Sequence, residues 1–266
     1  MKIIRIIAAL MLAFSVCGCA VKESGIAESG SLLQIIVGSD NYEPYNYIDG
    51  DGNFAGVDVE LARAAFGKIG YRPVFKQIVW ENKDDYLASG EVDCLWGCFT
   101  MTDRENKYMW AGPYLKSRQV VAVRTDSDIQ CLSDLSEKRV AVQASSMPEE
   151  LLLKCETPDI PKAEWVYSFS GMGEVYASLR KGYADAICGH ESALASFIAT
   201  APEEYRMLGD SLYISKLGVA FSKDYGDSGL AERLTKTLGE LNENGTTARI
   251  LKKYGLDAGN VTEAEQ

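Results

Sequence analysis

The chain has one histidine, His190, in 266 residues. A Ser-His-Asp hydrolase would have to route every proton through that single imidazole, and no G-x-S-x-G elbow precedes a helix. Phosphate-cradling loops are missing as well: neither a Walker sequence nor G-x-G-x-x-G occurs. Beyond the N-terminal segment there is no second long apolar run, so nothing further along is expected to cross a membrane. Basic residues are in deficit, 27 Lys and Arg against 38 Asp and Glu, for a formal charge of -11. That balance argues against a nucleic-acid partner, whose phosphates require clustered cations. It leans toward a cationic or zwitterionic partner, or serves solubility alone. The cysteines offer no C-x-x-C pair. Past Cys17 and Cys19, the five that remain (Cys94, Cys98, Cys131, Cys155, Cys188) cannot all pair, and zinc-site spacings are absent. They read as buried thiols acting as small hydrophobes, with a Cys131–Cys155 disulfide left open. No heptad run or long edge strand suggests association, so a monomer is expected; neither a cofactor nor a metal is expected.

What is present begins at the N-terminus. Lys2 and Arg5 precede an apolar stretch from Ile6 to Val16, followed by Val16-Cys17-Gly18-Cys19 and the polar Lys22-Glu23-Ser24-Gly25. The order is that of a secretory signal. It also resembles the bacterial lipobox, with an aliphatic residue three before a Cys and Gly just before it. The stretch is too short for a spanning helix; a plain signal peptide is the alternative. The expected division is a signal peptide over 1–18, a lipid on Cys19 and a Ser/Gly/Glu-rich tether over 19–31. Such a protein works outside the cytoplasm, held to the outer face of the cell membrane.

From Leu32 the pattern alternates between strands and helices. Strands are expected at 34–38, 73–77, 92–96 and 119–123. Helices are expected at 57–69, where Val57, Leu61, Ala65 and Ile69 recur every four residues, and at 82–89. A second unit repeats the scheme: strands at 139–143, 164–169 and 184–188, helices at 148–154, 172–181 and 192–200. A return strand at 217–222 follows. Ser228 is expected to cap a helix lined by Leu230, Leu234, Leu238 and Leu241, and a short helix ends the set at 246–254. Alternation of this kind predicts an α/β fold of mainly parallel sheets flanked by helices. Two units with a late return predict two lobes: 32–122 with 217–257, and 123–216, leaving 258–266 as a disordered tail. Crossings near 121–124 and 215–219 would form a hinge. Ligands of parallel sheets sit beyond the carboxyl ends of strands, here across a cleft.

An ordered series of short motifs then carries a resemblance. Val37-Gly38-Ser39-Asp40, Tyr42-Glu43-Pro44-Tyr45 and Gly56-Val57-Asp58-Val59-Glu60-Leu61-Ala62 come first. Ser89-Gly90-Glu91-Val92-Asp93, Thr102-Asp103-Arg104, Gly112-Pro113-Tyr114 and Val140-Ala141-Val142-Gln143 follow. Lys181-Gly182-Tyr183-Ala184-Asp185-Ala186 and Asn244-Gly245-Thr246 close the set. Over about Leu32 to Gly255 the chain resembles the family 3 bacterial extracellular solute-binding proteins, the polar amino-acid receptors of ABC importers. The resemblance implies a two-lobed clamp of the type II periplasmic-binding-protein kind. It also implies an amino-acid ligand and a membrane permease as partner.

Site residues follow from the same resemblance. Arg104 corresponds to the arginine that binds the ligand carboxylate, one residue closer to the preceding Thr than usual. A guanidinium fork suits that task. Gly97, Cys98 and Thr100 match a segment lending backbone groups and a hydroxyl; Cys98 stands where serine is common, so mainly its backbone is expected to act. Trp80 and Tyr42 match aromatic walls, with core packing as the alternative for Trp80. Tyr45 and Tyr47 are weaker candidates for the same role. Asp40 matches a position that can face a cationic side chain or cap a turn. Ser145, Ser146 and Met147 open a helix whose start favours a carboxylate. His190 replaces the usual Asp that pairs with the α-ammonium. Either Glu191 supplies the missing charge, or the ligand is not an ordinary α-amino acid, or His190 merely caps the next helix. The expected function is capture of a polar or cationic amino acid, or a related small carboxylate, for import. A dehydratase-like enzyme on the same clamp and a sensing lipoprotein are the alternatives.

Overall fold

The computed structural model describes residues 32–156, 160–257 and 259. The expected signal peptide, Cys19, the tether and nearly all of the tail lie outside them. The described strands are β1 (Leu33–Ser39), β2 (Tyr47–Ile48), β3 (Phe54–Ala55), β4 (Tyr71–Gln77), β5 (Cys94–Leu95), β6 (Met109–Arg124), β7 (Arg139–Gln143), β8 (Trp165–Phe169), β9 (Ala186–His190) and β10 (Tyr205–Phe221). The helices are α1 (Val57–Lys68), α2 (Lys83–Ala88), α3 (Met147–Lys154), α4 (Met172–Arg180), α5 (Glu191–Ala199), α6 (Leu230–Glu243) and α7 (Thr246–Lys253).

The main sheet runs β4-β1-β5-β10-β6-β9-β7-β8. Its two ends are parallel triplets: β1 pairs parallel with β4 and β5, and β7 pairs parallel with β8 and β9. Between them β6 and β10 run antiparallel to each other along most of their length. Each triplet is therefore the sheet of one α/β lobe, and the long central pair passes through both. The expected crossings at 121–124 and 215–219 are stretches of these strands. Their polar middles, Lys116-Ser117-Arg118 and Ser215-Lys216, break the apolar pattern that marks a buried strand, so their full length was not legible.

Apolar periodicity fixes the helices as expected. The Leu230, Leu234, Leu238 and Leu241 face of α6 is buried, each leucine contributing about 1.5–3 kcal/mol through burial. The cap differs: Gly229, not Ser228, stands at the helix start, and its N–H donates to Asp227 Oδ1 at 3.2 Å. The helix expected at 82–89 opens as a 3-10 turn, Trp80–Asn82, before α2. No disulfide joins Cys131 and Cys155. Both thiols are free, and their sulfurs engage Ser133 Oγ at 3.0 Å and the Leu152 carbonyl at 3.1 Å. Cys94, Cys98 and Cys188 are buried, in keeping with the small-hydrophobe reading, whereas Cys131 is half-buried and Cys155 exposed, so that reading fails for these two.

Candidate ligand-binding site

Four strand ends converge between the lobes. Asp40 follows β1, Gly97 and Cys98 follow β5, Gln143 ends β7, and Gly189-His190 ends β9. They line a small, partly open cavity of about 30 Å³, placed where open parallel sheets hold ligands. The lobes also touch directly. Tyr42 Oη accepts the His190 backbone N–H at 3.0 Å, Tyr45 Oη meets Ser192 Oγ at 2.7 Å, and Gln143 Nε2 donates to Asp40 Oδ2.

On the first lobe, Asp40 is buried, and its Oδ1 has no partner. Loss of water pushes its carboxyl up to about 6. Trp80 lines the cavity while packing edge-on against Phe99, ring centroids 5.0 Å apart, so it is wall and core at once. Gly97 is needed for close approach: a Cβ there would lie 3.0 Å from Asn46 Nδ2. Cys98 lines the cavity, but its backbone N–H does not serve a ligand. It donates to Asp58 Oδ2 at 2.6 Å, while Asp58 Oδ1 accepts from Tyr114 Oη at 2.9 Å. Thr100 Oγ1 donates across to Ser215 Oγ on β10 at 3.2 Å. Arg104 reaches the cavity despite its shifted position in the motif. Its guanidinium lies 5.6 Å from the Phe99 ring centre and pairs with Glu150 of the second lobe at 3.1 Å. Tyr45 packs in the core, and neither it nor Tyr47 lines the cavity.

On the second lobe, Ser146 caps α3, its Oγ accepting the Glu149 N–H at 3.3 Å, and Ser146 and Met147 line the cavity. Ser145 does not; its N–H is turned to Glu149 Oε2 at 2.6 Å. Glu149 and Glu150 thus offset the positive field expected from this helix start. Glu191 also lies outside the lining. It sits at the surface, 3.3 Å from Arg118, so it cannot stand in for the missing carboxylate. His190 does line the cavity but makes no side-chain cap to α5. Burial depresses its ring to about 3; a hydrogen bond with the Cys98 backbone opposes the shift and nearby Arg104 adds to it, and the imidazole is neutral.

Sequence reasoning missed Phe99, Gln119, Gln143, Pro148, Met172, Cys188 and Gly189 in the lining. Two carried a readable signal. Gln143 closes the apolar run Val140–Val142 and Gln119 opens Val120–Val123, polar residues at the ends of buried strands.

Two α/β halves threaded by one pair of long strands, with a polar cavity at their facing strand ends, define a type II periplasmic amino-acid-binding fold. The chain belongs to the bacterial extracellular solute-binding proteins, family 3, whose profile matches residues 35–257. It is 26% identical to the arginine-binding extracellular protein ArtP of Bacillus subtilis over 95% of this chain and 97% of that one. It is 25% identical to the histidine-binding periplasmic protein of Salmonella typhimurium, covering 96% and 97%. A solved structure of an ancestral arginine-binding protein bound to arginine superposes with a TM-score of 0.76 at 26% identity, over 84% of this chain and 98% of the other. These relatives are binding proteins by name rather than enzymes.

Proposed function

We propose that this protein is the substrate-binding subunit of an ABC importer, taking a polar or cationic amino acid between its lobes and handing it to a permease. One observation carries the reading: one cavity between the lobes is lined by a guanidinium, Arg104, and by a buried carboxylate, Asp40, that keeps an unpaired oxygen. A ligand bearing both an anion and a donor-rich cation satisfies both ends. The arginine- and histidine-binding relatives support this ligand class. The lobes are assigned to 32–122 with 217–257 and to 123–216. The lipobox-like Val16-Cys17-Gly18-Cys19 supports a lipid on Cys19 and a place at the outer face of the membrane. The protein binds as a monomer and breaks no bond.

A thermal-shift screen of the common amino acids tests the reading. At a hundredfold excess over Kd a ligand stabilises by about 2.7 kcal/mol, and Arg104→Ala abolishes the response while the unliganded protein still melts cooperatively. If no amino acid raises the melting temperature, the assignment is wrong.

A further inference from the structure

Gln119 and His190 face each other as a register pair of β6 and β9. Both are buried and both line the cavity. Ring Nδ1 of His190 lies 2.9 Å from Ser117 Oγ, and Gln119 Nε2 lies within reach of both ring nitrogens, 2.9 Å from Nε2 and 3.3 Å from Nδ1. Gln119 Nε2 also reaches Ser215 Oγ at 3.4 Å. The Ser117 hydroxyl can accept from Nδ1–H or donate to a bare Nδ1; in the first tautomer ring Nε2 carries the lone pair and accepts. The Gln119 amide has its NH2 toward the ring, the orientation that this tautomer calls for. Gln119 Oε1 is then a buried acceptor with no partner in the wall of the cavity. Asp40 Oδ1 is a second lining acceptor in the same condition. Buried acceptors left unmatched are costly, and two in one cavity point to a donor-rich ligand group.

We propose that Gln119 Oε1 and Asp40 Oδ1 together receive the ligand's ammonium, and that His190 is the positioning residue that holds the Gln119 amide in its accepting orientation. The proposal rests on the amino-acid reading above and specifies how that site recognises a nitrogen. The second lobe lacks the carboxylate usual at position 190, and an amide carbonyl on the central strand takes over part of its task. Neutrality of the ring is a requirement of this arrangement, because an imidazolium would have no lone pair for Gln119. The class favoured is a small carboxylate bearing a primary ammonium, over its 2-hydroxy analogue.

Two measurements test this. The chain's one histidine gives one imidazole in nitrogen-15 spectra. It should be protonated at Nδ1, bare at Nε2 and unchanged between about pH 5 and 8. A proton on Nε2, or titration within that range, overturns the positioning role. For ligand recognition, the amino acid giving the largest thermal response is compared with its 2-hydroxy analogue. The preference for the amino acid should shrink about 10- to 100-fold in Gln119→Leu and in the unbranched Gln119→Met. His190→Leu should shrink it likewise, and His190→Gln, whose side-chain carbonyl can accept from Gln119, should restore it. Equal losses for both ligands in the Gln119 variants overturn this inference alone. Silence of the wild type toward every amino acid overturns the functional reading, and the ammonium role with it.

Discussion

Arg104, which lines the cavity, meets Glu150 of the second lobe at 3.1 Å in a surface groove that shares Arg104 and Ser146 with that cavity. The guanidinium is mostly shielded, whereas the carboxylate is more than a third exposed. A pair of this kind is worth on the order of 0.2–1 kcal/mol. It also occupies the cation that the site offers to a ligand carboxylate, so Glu150 competes with the guest. Glu150→Gln should tighten amino-acid binding by up to roughly five-fold. Calorimetry reads the change; weaker binding in the variant would count against the competition.

Ligand affinity should depend on pH through Asp40 rather than His190. The Asp40 carboxyl is pushed up to about 6, whereas the ring sits near 3. A cationic ligand binds the ionised carboxylate, so affinity should hold above about pH 6 and decline as acid neutralises Asp40. Asp40→Asn should bind more weakly at neutral pH and lose that decline. Dissociation constants measured across the range decide it, and an acid-sensitive Asp40→Asn would contradict the assignment.

Asp58 predicts a stability trend of the opposite kind. It is buried beneath the cavity, accepts from Cys98 and Tyr114, and burial raises its carboxyl to about 7. Between its unfolded value near 4 and about 7, the folded protein keeps a proton that the unfolded chain has released. Stability should therefore fall with rising pH across that window, by at most about 1.4 kcal/mol per pH unit for this group, and level off above it. Asp58→Asn can still accept from the Cys98 N–H through its carbonyl and should flatten the slope. Melting temperature against pH is the measurement, and an unchanged slope in Asp58→Asn removes Asp58 as its source.

Gly56 precedes α1 with φ at +119°, and a Cβ there would fall 2.3 Å from the Tyr45 carbonyl oxygen. Backbone must move to admit it. Gly56→Ala should cost about 3 kcal/mol or more, and denaturant unfolding should show it. A loss below about 1 kcal/mol would mean that the Tyr45 loop yields freely.

Much of the fold was legible because burial writes itself into periodicity. The four-residue spacing of Val57, Leu61 and Ala65, and the apolar runs at 35–37 and 140–142, mark elements whose neighbours are all apolar. The central strands were read short because their polar middles pass between the lobes, where the alternation that signals a sheet face lapses. At the site, residues fixed by local chain direction after a strand end were found, as Asp40, Gly97 and His190 show. Glu191 was misjudged because one step along α5 turns a side chain from cavity to solvent. The Cys98 N–H was misjudged because its acceptor, Asp58, lies 40 residues away in sequence. Gln119 was missed because its importance comes from a partner 71 residues away.

Cys98 places a sulfur in the cavity wall, and burial together with the neighbouring Asp58 pushes its thiol well above the ordinary range. An alkylating reagent needs a thiolate and a path to it. While the halves stay shut, this sulfur is protected on both counts, so its rate of modification becomes a clock for excursions of the jaws. A tight guest should slow that clock in proportion to its occupancy.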